Sequence, residues 1–234
     1  MKKAHSRIMG TMKTKVKGPS SAAVMAAILC FLASTALLQA EPLQGEAKDR
    51  FVRRMARVYK ETGTIQADFR ETRSLKQLPK PLTFRGRIYL DLKQDFLFMD
   101  YLEPNRHVVR VQNGTVLFYV RGQATADVFD LTKAPGGSPS GGLLDWSPQD
   151  FQGTIIPGNG SYRLLPAETA DRQGSVRICL DQDSLLLKSI LIREPSGDST
   201  TIELSDIVVN KPLPDRILEF SLPEGTTVNR LQQP

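Results

Sequence analysis

The stretch FRGRIYLDLKQDFLFMDYLEPNRHVVRVQNGTVLFY, residues 84–119, decides the fold of this chain. Large apolar side chains alternate in it with polar ones. Phe84 and Ile88 fall on one face of an extended segment, whereas Arg85 and Arg87 fall on the other. Such alternation indicates strands that bury one face and leave the other in water.

Short turn signals divide this stretch into consecutive strands. The sequence Glu103-Pro104-Asn105 carries a proline that cannot donate to a strand ladder, and Asn113-Gly114 is a strong signal for a tight hairpin. The stretch therefore predicts several antiparallel strands joined by short connections.

The basic excess of the chain is confined to its first forty residues. There are 31 Lys and Arg against 25 Asp and Glu, and six of the cations precede the first acid, Glu41. An apolar run over residues 22–38 and a small residue, Ala40, follow this basic region. The pattern predicts an export signal peptide over residues 1–40 and one domain over residues 41–234. Because that domain is neutral overall, we expect no nucleic-acid partner.

A second interpretation of the leader stays open. The apolar run of residues 22–38 is close to the lower length limit for a spanning helix, so the leader could instead remain as an anchor. Leu29 precedes Cys30, where a lipid-attachment signal would have a small residue. After cleavage Cys179 would be the only cysteine, so we expect no intramolecular disulfide.

The rest of the chain contains few helix signals. Apolar residues at helical spacing, including Phe51 and Met55, predict one amphipathic helix over residues 46–60. Alternation predicts a first strand at residues 65–70 and further strands through the last third, one of them at residues 218–222. The predicted fold is mainly β (α+β), with about ten antiparallel strands and one or two helices, one of them N-terminal.

The catalytic equipment of residues 41–234 is sparse. One histidine, His107, and one cysteine, Cys179, offer no zinc-ligand spacing and no nucleophile motif. Phosphate-binding and dinucleotide-binding glycine patterns are absent from the sequence. We therefore expect a binding protein without a metal or cofactor, and not an enzyme.

Several segments together resemble one family, the outer-membrane lipoprotein carriers (LolA). The similar segments are Thr64-Ile65-Gln66-Ala67-Asp68-Phe69, Phe84-Arg85-Gly86-Arg87-Ile88-Tyr89-Leu90, Phe96-Leu97-Phe98, residues 108–111, Asn113-Gly114, Leu117-Phe118-Tyr119 and residues 220–228. The resemblance implies an incomplete antiparallel β-barrel whose apolar face is closed by helices and holds acyl chains. It also implies a periplasmic monomer that takes lipoproteins from an inner-membrane donor complex to an outer-membrane acceptor.

The resemblance further implies a set of site residues. The acyl-chain cavity would be lined by Phe51, Met55, Phe69, Phe84, Ile88, Phe96, Phe98, Val109, Leu117 and Tyr119. A lid would contain Leu143, Leu144 and Trp146, which follow the glycine-rich segment 134–142. The aromatic residues among the cavity set could also fill an ordinary closed core.

One position departs from the family pattern. Many members carry an arginine that hydrogen-bonds to the lid, and Leu92 stands in its place here. Another residue would have to control lid closure. The departure leaves open an alternative function on the same fold, a lipid-binding sensor or a carrier of a glycolipid or other amphiphile.

Overall fold

The computed structural model describes residues 40–131, 151–167 and 174–231, which all belong to one compact unit bounded by Ala40 and Pro234. The described ranges contain two helices, α1 (Gly45–Glu61) and α2 (Asp215–Leu218). The strands are β1 (Thr64–Ser74), β2 (Leu82–Asp91), β3 (Phe96–Glu103), β4 (His107–Gln112), β5 (Thr115–Val120), β6 (Thr125–Asp130), β7 (Gly153–Gly158), β8 (Ser161–Pro166), β9 (Ser175–Asp181), β10 (Leu187–Arg193), β11 (Ser199–Val209) and β12 (Thr227–Leu231).

The strands of the described ranges form a single open sheet. Their order is β12-β6-β5-β4-β3-β2-β1-β11-β10-β9-β8-β7, and every neighbouring pair is antiparallel except β12 and β6. This confirms the predicted mainly β fold and agrees with an incomplete barrel. The sheet has twelve strands instead of about ten, and the parallel strand β12 was not predicted.

The predicted hairpin between β4 and β5 is confirmed. His107–Gln112 pairs with Thr115–Val120, and the two turn residues Asn113 and Gly114 have φ angles of 50° and 69°. Positive φ at both central residues suits the right-handed twist of the flanking strands.

The strand predicted at residues 218–222 is wrong. That region contains the end of α2 and an irregular segment. Pro212, Pro214 and Pro223 lie in and around it, and proline supplies no N–H for a strand ladder. Alternation of apolar residues over five positions could not reveal this, because a covering segment that packs its apolar side chains inward has a similar pattern.

One face of the sheet carries α1, and we call it the helix face. A row of directly opposed residues marks it across seven strands: Ile155, Leu164, Ile178, Ile190, Ile202, Glu71 and Phe84. Phe51 and Met55 of α1 pack into one cluster with the β7–β9 end of this row. Opposed residues on neighbouring strands share a face, so the helix face is continuous from β7 to β2.

The other face is covered by the segment of residues 213–222, and we call it the C-terminal face. Its central row is Tyr89, Phe98, Arg110 and Leu117. Leu213 and Ile217 pack on Tyr89 and Phe98, and Leu222 packs near Leu117. Both faces of β2–β5 therefore carry apolar side chains, and residues 213–222 cover the C-terminal face.

The turn between β9 and β10 gives a prediction about pH. The Asp181 carboxylate accepts hydrogen bonds from the backbone N–H of Ser184 and of Asp183, and from the Ser184 hydroxyl. The bonds from Ser184 come first in holding the pKa of Asp181 below its ordinary value. A depressed pKa means that this stabilisation is present above about pH 4, where an unfolded Asp is ionised, and is lost as the pH falls through the lower folded value.

We therefore expect Asp181→Asn to lower stability at neutral pH and to reduce the loss of stability on acidification below about pH 4. Urea unfolding at a series of pH values from neutral to acidic measures the stability at neutral pH and its loss on acidification. Asp183→Asn removes a charge from the same turn without removing the acceptor, and should leave the acid response unchanged. A parallel acid response of wild type and Asp181→Asn would contradict the assignment.

Candidate functional site

The helix face holds two clusters of buried apolar residues. The cluster under α1 contains Phe51, Met55, Phe151, Ile155, Leu164, Ile178, Leu180 and Leu185. The cluster on β1–β4 and β11 contains Ile65, Ala67, Phe69, Ile88, Leu90, Leu97, Met99, Tyr101, Val111 and Ile202. Phe84, Val109 and Val116 pack against the second cluster but are only half-buried.

A cleft of about 1010 Å³ opens beside the second cluster, at the ends of β2, β4 and β5. Its lining residues are Arg73, Phe84, Pro104, Asn105, Arg106, His107, Val109, Phe118, Val120, Arg121 and Gln123. The strand pairing places six of these residues on the helix face, because they alternate with residues of the C-terminal face. They are Arg73, Phe84, His107, Val109, Phe118 and Val120. At the cleft, the helix face is therefore open to water.

A carboxylate is buried in this apolar surface. The side chain of Glu71 is 3% exposed, and Glu71 lies opposite Ile202 on one neighbouring strand and Phe84 on the other. The Tyr101 hydroxyl donates to Glu71 Oε2 at 2.5 Å, and Arg73 Nε donates to Oε1. Both carboxylate oxygens thus have a donor, as a buried charge requires.

Arg73 connects this carboxylate to the cleft. Its guanidinium carbon lies 4.9 Å from the centre of the Phe84 ring, within the range of a cation–π contact. Burial opposes the charge of Arg73, but the hydrogen bond and the charge of Glu71 outweigh it and raise the pKa above its ordinary value. The side chain is 42% exposed, so part of the guanidinium faces water.

Aromatic rings surround the buried pair. Tyr101 stacks on His107 with ring centres 3.9 Å apart, and Phe69 meets Tyr101 edge-on at 4.8 Å. Burial, followed by the charge of Glu71, raises the pKa of Tyr101 above its ordinary value, so its hydroxyl stays a donor at neutral pH. Gly86 permits this packing, because a Cβ there would collide with the Phe69 ring and the Asp100 carbonyl.

The structure divides the predicted cavity residues between the two faces. Phe69, Phe84, Ile88 and Val109 lie together on the helix face around the second cluster. Phe51 and Met55 also lie on the helix face side, in the cluster under α1. The remaining four lie on the C-terminal face beneath residues 213–222: Phe96, Phe98, Leu117 and Tyr119.

The four residues of the C-terminal face are therefore separated from the others by the sheet itself. Phe98 is fully buried, and its ring lies 5.3 Å from that of Phe220. Arg110, next to Phe98, donates to the Phe220 carbonyl at 3.0 Å, and burial lowers the pKa of Arg110 below its ordinary value. These contacts hold the covering segment in place.

Other predicted positions can be located more briefly. Leu143, Leu144 and Trp146 lie outside the described residues. Leu92 is half-buried and packs against the second cluster, and its backbone N–H donates to the Gly63 carbonyl at 2.8 Å. Leu92 thus contributes apolar surface where the family pattern has a hydrogen-bonding side chain.

Sequence reasoning missed the polar residues of the site. Glu71 and Arg73 follow Phe69 at even spacing, which places them on the helix face of β1. The available signal was Glu71, an acidic residue at a position where the alternation of the strand calls for an apolar one. Its partner Tyr101 lies on another strand, so only the register of β1, β2 and β3 brings the three together.

Two features are absent from the described ranges, a metal-ligating cluster and a membrane-spanning helix. No group of three His, Cys, Asp or Glu side chains within them could hold a metal ion. No helix in these ranges has both the length and the apolar composition to cross a membrane.

An open sheet with a helix on a continuous apolar face, and a cleft beside it, agrees with the class of folds built on an incomplete β-barrel. The sequence matches the model of one family, the outer membrane lipoprotein carrier protein LolA, over residues 60–221. The chain therefore belongs to the LolA family, whose members are carrier or binding proteins. No curated protein matches the sequence.

Solved structures with a similar arrangement are distant. A LolA superfamily protein, NE2245 from Nitrosomonas europaea, is 9% identical with a TM-score of 0.41, and the match covers 73% of this chain and 96% of that one. An outer membrane lipoprotein-sorting protein domain from Vibrio parahaemolyticus is 10% identical with a TM-score of 0.44, covering 74% and 97%. A chain of the MucA/MucB complex of Pseudomonas aeruginosa is 14% identical with a TM-score of 0.46, and the match covers 79% of this chain and 64% of that one.

Proposed function

We propose that this protein carries the acyl chains of lipoproteins through the periplasm, from the inner to the outer membrane. The observation that supports it is the helix face, an apolar surface that continues from the cluster under α1 to the open cleft. Phe84, Val109 and Phe118 are half-buried there and line the cleft, so their apolar surface is available to a ligand. Membership of the LolA family supports the same cargo.

Physical chemistry explains why such a surface is needed. Each methylene removed from water contributes roughly 0.8 kcal/mol, so a palmitoyl-sized chain represents on the order of 12 kcal/mol. Unassisted diffusion of acylated molecules through an aqueous compartment would be negligibly slow. A protein that covers the chains with Phe84, Val109 and Phe118 would replace the contact with water.

The proposal includes the path of the protein and its partners. The basic leader would direct export to the periplasm, the compartment of LolA-family proteins. There a monomer would receive cargo from an inner-membrane donor complex and deliver it to an outer-membrane acceptor, without a catalytic step. Phe51 and Met55 of α1 would border the cargo site, and Leu143, Leu144 and Trp146 would close over it.

A second candidate is a lipid-binding sensor or a carrier of another amphiphile on the same fold. It is favoured by Leu92, which packs into the apolar cluster and offers no side-chain donor for a lid. A carrier that loads and releases by another device could also take a different cargo.

Native mass spectrometry of the protein purified from a host with bacterial membranes tests the proposal. We expect co-purified acylated lipoprotein, which organic extraction and lipid identification should confirm. A glycolipid or free lipid in its place would favour the second candidate. Protein without ligand that also fails to shift an acyl-chain fluorescent probe would contradict both.

A matched pair of variants locates the binding surface. We expect Val109→Asp to weaken binding of the acyl-chain probe about tenfold, because it places a charge against the chain. Val208→Asp makes the same change on an exposed residue of the opposite face of β11, and should bind like wild type. Thermal unfolding establishes that both are folded. Equal affinities in folded variants would show that the chain does not lie on Val109; Phe118→Gln is the replacement if Val109→Asp does not fold.

A further inference from the structure

The charged residues that line the cleft are all arginines in the described part of the chain. Its lining residues include three arginines, Arg73, Arg106 and Arg121, and no Asp or Glu side chain from the described part of the chain. Arg121 pairs with Asp100 at 2.8 Å. Arg106 is exposed at the turn before β4 and takes part in no ion pair of the described ranges.

Arg73 is held in a fixed position inside the cleft. Its Nε donates a hydrogen bond to the Glu71 carboxylate, and the Phe84 ring lies against its guanidinium. Glu71 in turn accepts a hydrogen bond from the Tyr101 hydroxyl. The 42% exposure of Arg73 leaves further N–H donors available to a ligand. A guanidinium that is already oriented loses little conformational entropy when it binds an anion.

The wall of the cleft beyond these arginines is apolar. Phe84, Val109, Phe118 and Val120 line it, and each is half-buried. The apolar wall is continuous with the cluster on β1–β4, because Phe84 and Val109 pack against that cluster. A molecule bound here would meet cations at the mouth and apolar side chains along the wall.

We propose that the cleft binds an amphiphile with a negatively charged lipid head group. Arg73 and Arg106 bind the head group, and the acyl chain of the amphiphile lies on Phe84, Val109 and Phe118. The inference rests on the proposed acyl-chain binding and adds a selectivity to it. Guanidinium groups bind phosphate and carboxylate oxygens through paired hydrogen bonds. Among the described lining residues none is a carboxylate, and the two carboxylates behind them, Glu71 and Asp100, are already paired with Arg73 and Arg121.

Competition between two lipids of equal chain length tests the selectivity. Lysophosphatidylglycerol carries a net negative charge and lysophosphatidylcholine does not, so each is titrated below its critical micelle concentration against a neutral acyl-chain probe. We expect the anionic lipid to displace the probe at about a fivefold lower concentration in low salt. The ratio should fall towards one in high salt, because screening weakens the attraction.

Variants assign the selectivity to the cleft. Arg106→Gln changes an exposed side chain that forms no ion pair in the described ranges, so the protein should fold. The fivefold preference should then largely disappear. Arg163→Gln removes the same charge from an exposed position on β8, and the preference should remain. Inorganic phosphate at the same concentrations should not compete, because it lacks the chain.

Three results would overturn the proposal. Equal displacement by the two lipids would remove the head-group selectivity but leave acyl-chain binding in place. A preference that survives in Arg106→Gln, or that Arg163→Gln abolishes equally, would place the selectivity outside the cleft. Failure of the neutral probe itself to bind would instead refute the acyl-chain site on which the inference rests.

Discussion

Replacing Phe98 by alanine is expected to lower the free energy of unfolding by about 3–5 kcal/mol. The Phe98 side chain is fully buried on the C-terminal face, between the Tyr89 and Phe96 rings and that of Phe220. The variant leaves a cavity that the sheet cannot fill, because Phe98 belongs to a central strand, and the covering segment is held by Arg110. Urea unfolding followed by far-ultraviolet circular dichroism measures the change.

Phe118→Ala is the matched control on β5, which β4 separates from β3 in the sheet. Phe118 is half-buried and lines the open cleft, so its removal leaves no closed cavity and should cost clearly less than Phe98→Ala. The two variants should also differ in ligand binding, since only Phe118 lies on the proposed acyl-chain surface. Equal losses of stability, or a loss of probe binding in folded Phe98→Ala alone, would contradict the assignment of the two faces.

The second large effect is expected at the buried carboxylate. Arg73→Met keeps much of the apolar stem but removes the cation, so Glu71 stays in an apolar surface with the Tyr101 hydroxyl but without its ion-pair partner. An uncompensated buried charge is costly, so we expect a loss of about 2–3 kcal/mol in the free energy of unfolding. Chemical unfolding at neutral pH measures it.

A double variant separates charge from packing. Glu71→Gln combined with Arg73→Met removes both charges, while the amide oxygen introduced at position 71 can still accept the Tyr101 hydroxyl. We expect it to recover more than half of the stability lost in Arg73→Met. If the double variant is as unstable as the single one, the loss comes from the packing of Arg73 on Phe84 and not from the charge of Glu71.

Local sequence determined the elements of this fold well. The apolar spacing around Phe51 and Met55 predicted α1 within one residue at each end, and Asn113-Gly114 predicted the β4–β5 hairpin. Alternation predicted strands within residues 65–131 and 161–209, whereas β7 (Gly153–Gly158) was not predicted. These features depend on contacts between residues near in sequence, and their period in the chain equals the period of the structure.

Alternation failed where a segment covers the sheet without joining it. Residues 218–222 have the apolar spacing of a strand, yet they pack side chains onto Phe98 and Leu117 and form no ladder. The side-chain pattern alone does not record which partner the backbone hydrogen bonds will find. The parallel pairing of β12 with β6 could not be predicted for the same reason, because the side-chain pattern does not show which strand the backbone will pair with.

The candidate site shows the division between sequence and tertiary structure most clearly. The sequence by itself predicted consecutive strands over residues 84–119 with one apolar face turned away from water, and the family match gives the likeness to lipoprotein carriers. It did not determine which face is covered by the chain's own C-terminal segment and which opens into the cleft. Phe84 and Phe98 are both aromatic residues in predicted strands, and only the register and the packing of residues 213–222 separate them. Period two assigns residues to the same or to opposite faces of a strand, whereas the long-range contacts decide which face is exposed to a ligand.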